Sequence, residues 1–145
     1  MNDIAEVLRG LPYFADLPQA LLDQVCRESE RVEVDAETTI IEEDSFSEDM
    51  FVIVEGELRV TKQGTDREVV LATLGPGEVV GEIALLDNAP RTASVTTISR
   101  SSLIRITANA FEDLISDSRV VRRMFRTVPY GLRGSDLALS PLRHR

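Results

Sequence analysis

Tryptophan is absent from this 145-residue chain, which carries one cysteine and one histidine. A lone Cys26 excludes an intrachain disulfide and a cysteine-cluster metal site, and its place in the apolar-periodic run Ala20 to Cys26 marks a small buried residue. His144, in the tail, is too little for a histidine-rich metal centre or a Ser–His or Cys–His nucleophile pair, so no enzyme activity is expected. Long hydrophobic runs are also missing. None approaches the ~20 residues that cross a bilayer. The N-terminus lacks a basic start before an apolar core, so the expectation is a chain with no secretory leader and no membrane span, in a cytoplasmic, reduced setting. Basic residues are scarce as well: 16 Lys and Arg against 25 Asp and Glu give a net charge of −9, which argues against a dominant nucleic-acid surface. The imbalance is local. Residues 1–60 carry −12, whereas residues 117–145, with seven arginines, carry +5.

With 43% apolar and 28% charged residues, the length fits one soluble domain with a sizeable core. Asp3 to Leu8 reads as a short helix, with Asp3 or Asn2 as cap and Gly10 as stop. After the apolar turn Leu11-Pro12-Tyr13-Phe14, Pro18 stands where a first helical residue belongs, and Leu17, Leu21, Leu22 and Val25 follow at helical spacing. From Glu30 the rhythm changes to short β-rich segments: 31–34, 38–41, 50–54, 58–61, 69–74, 79–80, 93–97 and 102–107. Strands this short and regular argue for a barrel or sandwich. Gly56 fits a tight turn that needs a positive φ. A helix is expected over Ala108 to Ser116, capped by Thr107 with Phe111, Leu114 and Ile115 inward, and a second from Asp117 or Ser118 to about Arg126. Pro129, Gly131 and Gly134 then stop helical structure. The domain is thus read as residues 1–128 (helices 1–29, barrel 30–107, helices 108–128), followed by an irregular basic tail, 129–145.

Residues Gly81 to Val95 read G-E-I-A-L-L-D-N-A-P-R-T-A-S-V. Val79-Val80 ends a strand, and Gly81 allows close backbone approach. Ile83 to Leu86 is long enough for about one helical turn, whose free N–H groups favour an anion. Arg91 offers a planar fork that matches phosphate oxygens. Glu82 would repel a phosphate and suits sugar hydroxyls. Together these residues fit a cyclic phosphate joined to a ribose.

The segment resembles the phosphate-binding cassette of cyclic-nucleotide-binding domains, whose pattern is roughly F-G-E-x-A-L-L, a short loop, then P-R-x-A-x-V; Val80 replaces the aromatic. Met50 to Arg59 resembles that family's F-x-I-x-x-G hairpin, and Leu74 to Glu78 its L-G-x-G-D/E turn. The family often has a glycine near Ala36 and an E-G-D turn where this chain has Glu43-Asp44-Ser45, so altered turn geometry is expected there, without contact to ligand.

The resemblance implies a mainly β fold with flanking helices: a double-stranded β-helix, or jelly-roll-like barrel, with an N-terminal helical pair and C-terminal helices. It also implies a non-catalytic sensor module that binds cyclic AMP, with cyclic GMP as the alternative, and no cofactor. Its site comprises Gly81, Glu82 on the ribose 2′-hydroxyl, the N–H groups of Ile83 and Ala84, Arg91 on the phosphate, and the Thr92 hydroxyl. Threonine after the arginine can reach guanine, which keeps cyclic GMP open. Ser94, two residues on, faces the same side as Thr92 in a strand. Val60, Leu71 and Ile83 are apolar walls, with plain barrel core the other reading of Val60 and Leu71. Ligand binding is expected to order the cassette and reposition the C-terminal helices, in which Phe111, Leu114, Met124 and Phe125 offer apolar surface. Tyr130, Leu132 and Arg133 are candidates for a lid. The expected partners are an unidentified protein effector and, for a homodimer, a second copy. Direct DNA binding is not expected, since too few residues follow Val128 for a helix-turn-helix domain. The alternative is a protein-interaction domain with a vestigial or unoccupied pocket, contacting an acidic partner through Arg122, Arg123 and Arg126.

Overall fold

The computed structural model describes residues 3–11, 14–46, 49–81 and 90–116. Among them lie α1 (Asp3–Arg9), α2 (Gln19–Arg27), β1 (Ser29–Val34), β2 (Thr39–Ile41), β3 (Met50–Glu55), β4 (Leu58–Gln63), β5 (Glu68–Leu74), β6 (Val79–Val80), β7 (Ser94–Thr97), β8 (Ser101–Ile106) and α3 (Ala108–Ile115). The strands form two antiparallel four-stranded sheets, ordered β1-β8-β3-β6 and β2-β7-β4-β5. Strands that alternate between facing sheets in this order make a jelly-roll sandwich. The expected second C-terminal helix, the Tyr130, Leu132 and Arg133 lid candidates and the basic tail lie outside the described residues, as do Met124 and Phe125.

The sheets differ in how many faces they cover, and the sequence differs accordingly. In β3, Met50 and Val52 pack toward the helices with Leu8, Phe14, Leu22, Val25, Ile104 and Phe111. The alternate residues, Phe51 and Ile53, point into the sandwich with Ile41, Leu58, Val60, Val95 and Leu103. A sheet buried on both faces loses its polar-apolar alternation. That is why Met50 to Val54 reads as an unbroken apolar run. The second sheet has a solvated face, and its edge strand β5 is exposed from Glu68 to Leu71.

Pro18 corrects an expectation. It is the N-cap of α2, with an extended ψ of 146°, rather than the first helical residue. Its carbonyl already accepts from Leu22 N at 3.0 Å, so the fixed ring sets up the helix from one position earlier. Thr107 caps α3 as expected: its hydroxyl accepts from Ala110 N at 3.3 Å and donates to the Glu28 carbonyl at 3.1 Å. Phe111 and Leu114 face inward, and the Ile115 side chain lies outside the described residues. No described helix is long and apolar enough to cross a membrane.

Gly56 has a φ of +106°, as its turn requires, and a Cβ there would stand 2.2 Å from Ser101 Oγ and 2.8 Å from Ser101 Cα. Gly56→Ala should therefore destabilise the fold by at least ~2 kcal/mol in urea denaturation. A loss below ~0.5 kcal/mol would contradict this packing.

Where α2 ends against α3, Glu28 Oε1 is shielded from solvent and lacks a donor among the described residues. Asp113 stands beside it. A hydrogen bond across this carboxyl pair needs a shared proton, and that bond, then burial, then Asp113's charge raise the Glu28 pKa above its ordinary 4.5, against the opposing pull of Arg27. A raised folded-state pKa gives stability that is complete below the ordinary value and is lost as pH rises through the raised one. Glu28→Gln supplies an N–H donor at every pH. Its melting temperature should exceed the parent's most at about pH 7, and the gap should shrink toward about pH 4. A pH-independent gap would refute the shared proton.

Candidate functional site

Arg91 is the largest fully buried side chain among the described residues, 1% exposed. An unpaired guanidinium cannot be buried cheaply, so its surroundings must supply acceptors. Two come from backbone. Nη1 donates to the Gly81 carbonyl at 2.6 Å and Nη2 to the Asp49 carbonyl at 2.5 Å. Gly81 follows β6, and Asp49 directly precedes β3; because β3 and β6 pair through Phe51 and Val80, both carbonyls present to one point. A carbonyl orients the guanidinium fork as a neutral acceptor, unlike a carboxylate.

Gly81 has a different role from close approach by a ligand alone. Its φ is +95°, and a Cβ would meet Arg91 Nη1 at 3.0 Å, Ile41 Cδ1 at 3.1 Å and the Asp49 carbonyl at 3.2 Å. The missing side chain makes room for the arginine.

The Arg91 backbone is clamped by the turn after β2. Asp44 N donates to the Arg91 carbonyl at 2.7 Å, and Arg91 N donates to the Ser45 carbonyl at 2.8 Å. Glu43 N donates to Ser94 Oγ at 2.9 Å. The Glu43 carboxylate accepts from Gln63 N at 3.0 Å and from Lys62 Nζ at 3.4 Å, and Lys62 also donates to the Thr92 carbonyl at 2.9 Å. The Gln63 amide foremost, with Lys62, holds the Glu43 pKa below its ordinary value. Two turns lack the glycine that the family often has, at Glu43-Asp44-Ser45 and near Ala36. Asp44 has a φ of +70° and Glu37, beside Ala36, a φ of +58°. Both occupy the left-handed conformation a glycine would take, because the hydrogen bonds to Arg91 and Thr97 fix the backbone there.

The sequence-predicted residues are only partly brought together. Gly81 and Arg91 are in direct contact, while Glu82, Ile83 and Ala84 lie outside the described residues. Thr92 is half-buried beside Arg91, but β7 begins at Ser94, so strand alternation does not align Thr92 with Ser94. Val60 is wholly buried in the sandwich core opposite Val95. Leu71 is 44% exposed at the β4–β5 register shift and belongs to neither core cluster, which sets aside its reading as barrel core. Sequence reasoning missed Asp49. Its contribution is a carbonyl, which every residue has, so its identity carried no signal.

The profile of the family described as "Cyclic nucleotide-binding domain" matches residues 31–118, and the chain belongs to that family. It is similar to a cyclic nucleotide-gated potassium channel of Rhizobium etli, 32% identical over 129 residues, covering 89% of this chain and 35% of the channel. It is 23% identical over 139 residues to a CRP-like cAMP-activated global transcriptional regulator of Mycobacterium tuberculosis, covering 94% of this chain and 62% of the regulator. Among solved structures, the regulatory domain of Toxoplasma gondii PKA in co-crystal with cAMP superposes with a TM-score of 0.74 at 31% identity, over 91% of this chain and 52% of that one. The chain thus spans about a third to three-fifths of these relatives.

If the Asp44 turn clamps Arg91 through a left-handed residue, a residue that tolerates that conformation should outperform one that resists it. Asp44→Gly should be about 2 kcal/mol more stable than Asp44→Val in urea titrations, with the parent between them. Equal stabilities would mean the turn relaxes freely.

Proposed function

We propose that this chain is a non-catalytic receptor module for a cyclic nucleotide, with cyclic AMP the ligand and cyclic GMP the alternative. The observation that carries the reading is the buried Arg91 guanidinium, aimed by the Gly81 and Asp49 carbonyls. Charge in a sheltered site attracts a phosphate far more strongly than the same charge in water. Membership of the family and the likeness to a kinase regulatory domain solved with cAMP support the choice of ligand.

In this reading Arg91 grips the cyclic phosphate, joined by the N–H groups of Ile83 and Ala84 and the Thr92 hydroxyl. Glu82 accepts from the ribose 2′-hydroxyl, and Leu71 stands on the base side. Binding orders the phosphate-binding cassette and shifts α3 together with the residues C-terminal to it, since α3 packs on the same helical cluster as β3 and β6. That movement is read by a protein effector or a second copy. A cytoplasmic setting suits such a ligand.

Calorimetric titration with cyclic AMP and cyclic GMP in parallel tests the reading. Ligand at a hundredfold excess over Kd should stabilise the parent by about 2.7 kcal/mol. Arg91→Ala should weaken binding by ~2–5 kcal/mol. Arg91→Lys, which preserves charge but not the fork, gives the same test if the alanine variant melts without ligand. Binding by either variant at parental affinity would sink the assignment, and flat parental titrations with both nucleotides would shift the reading to a protein-interaction domain.

A further inference from the structure

Asp49 offers two kinds of acceptor within a few ångströms of the site, and two different arginines use them. Its neutral carbonyl takes Arg91 Nη2, whereas its carboxylate Oδ2 takes Arg105 Nη1 at 3.3 Å. Arg105 lies on β8, directly opposite Glu30 of β1 and Phe51 of β3, and its Nη2 donates to the Glu30 carboxylate. Directly opposed charges on neighbouring strands hold each other's rotamers. The Arg105 Nε is shielded from water and has no acceptor among the described residues, so the two carboxylates, rather than full solvation, set the side chain's direction.

This division of labour matters for an anion site. A carboxylate competes with a phosphate for a guanidinium and neutralises its charge; a carbonyl does not. We infer that Arg105 is a positioning residue for ligand binding, which holds the Asp49 carboxylate away from Arg91, so that Asp49 meets Arg91 through its carbonyl. The inference rests on the reading of Arg91 as the phosphate partner. Side-chain exposures of 39% for Arg105 and 31% for Asp49 keep the effect moderate.

A double-mutant cycle separates this role from general charge and from fold maintenance. Arg105→Gln releases the Asp49 carboxylate to pair with Arg91, and cyclic AMP affinity should fall about three- to tenfold. Asp49→Asn alone removes a carboxylate already engaged by Arg105 and should change affinity by less than about twofold. Adding Asp49→Asn to Arg105→Gln removes the competitor and should return affinity to within about twofold of the parent. Arg105→Lys should bind near-parentally, since an ammonium also holds one carboxylate. Arg105→Met, which retains the apolar stem, stands in if the glutamine variant does not show a cooperative melt. Parental affinity in Arg105→Gln, or no recovery in the double variant, overturns the inference. A long-range charge effect would make the two substitutions additive and also overturns it. Absence of binding by the parent would instead remove the functional reading beneath it.

Discussion

One guanidinium organises the working end of this molecule. Arg91 is buried, and the Gly81 and Asp49 carbonyls that hold it come from segments flanking paired strands of one sheet. Its own backbone is held from the other sheet, by the turn between β2 and β3. The arginine therefore joins the two layers of the sandwich at the point where the cassette would meet a ligand. Acceptors fixed in the fold offset part of the cost of burying its charge. Gly81 is explained by the same constraint: a Cβ would stand in the space the guanidinium fills.

Rigidity around the site comes from unequal burial of the sheets. The sheet β1-β8-β3-β6 is covered by helices on one face and by its partner sheet on the other. Asp49 and Gly81 flank its central and edge strands, so their carbonyls inherit that stability. The second sheet has a wet face, and it contributes the β2 turn that clamps Arg91, the Lys62–Glu43 bridge to Thr92 and the exposed edge strand β5.

The strand pattern is legible in the sequence because each strand is short and bounded by turn residues; all eight segments appear, with differences at their ends. Gly56 is readable from its turn alone. Pro18 sits one position earlier than its sequence context suggests, since proline suits the cap nearly as well as the first turn. The Asp44 and Glu37 turns escape sequence reasoning for a physical reason. Sequence shows a missing glycine but not the hydrogen bonds that force another residue into its conformation. The charge of Arg91 points to a site, but its burial cannot be read from its neighbours. Asp49 and Arg105 stay hidden because their roles depend on a cross-strand register between residues 56 positions apart.

Family membership, an oriented buried cation and a fold shared with a cAMP-bound kinase regulatory domain support the proposal that Arg91 holds a cyclic diester in the jelly roll. A crystal structure of the chain with cyclic AMP tests it most directly. The account predicts an exocyclic phosphate oxygen within hydrogen-bond distance of the Arg91 guanidinium, with the Gly81 and Asp49 carbonyl contacts retained. Nucleotide seated elsewhere, with Arg91 still enclosed and out of reach of the phosphate, would contradict it.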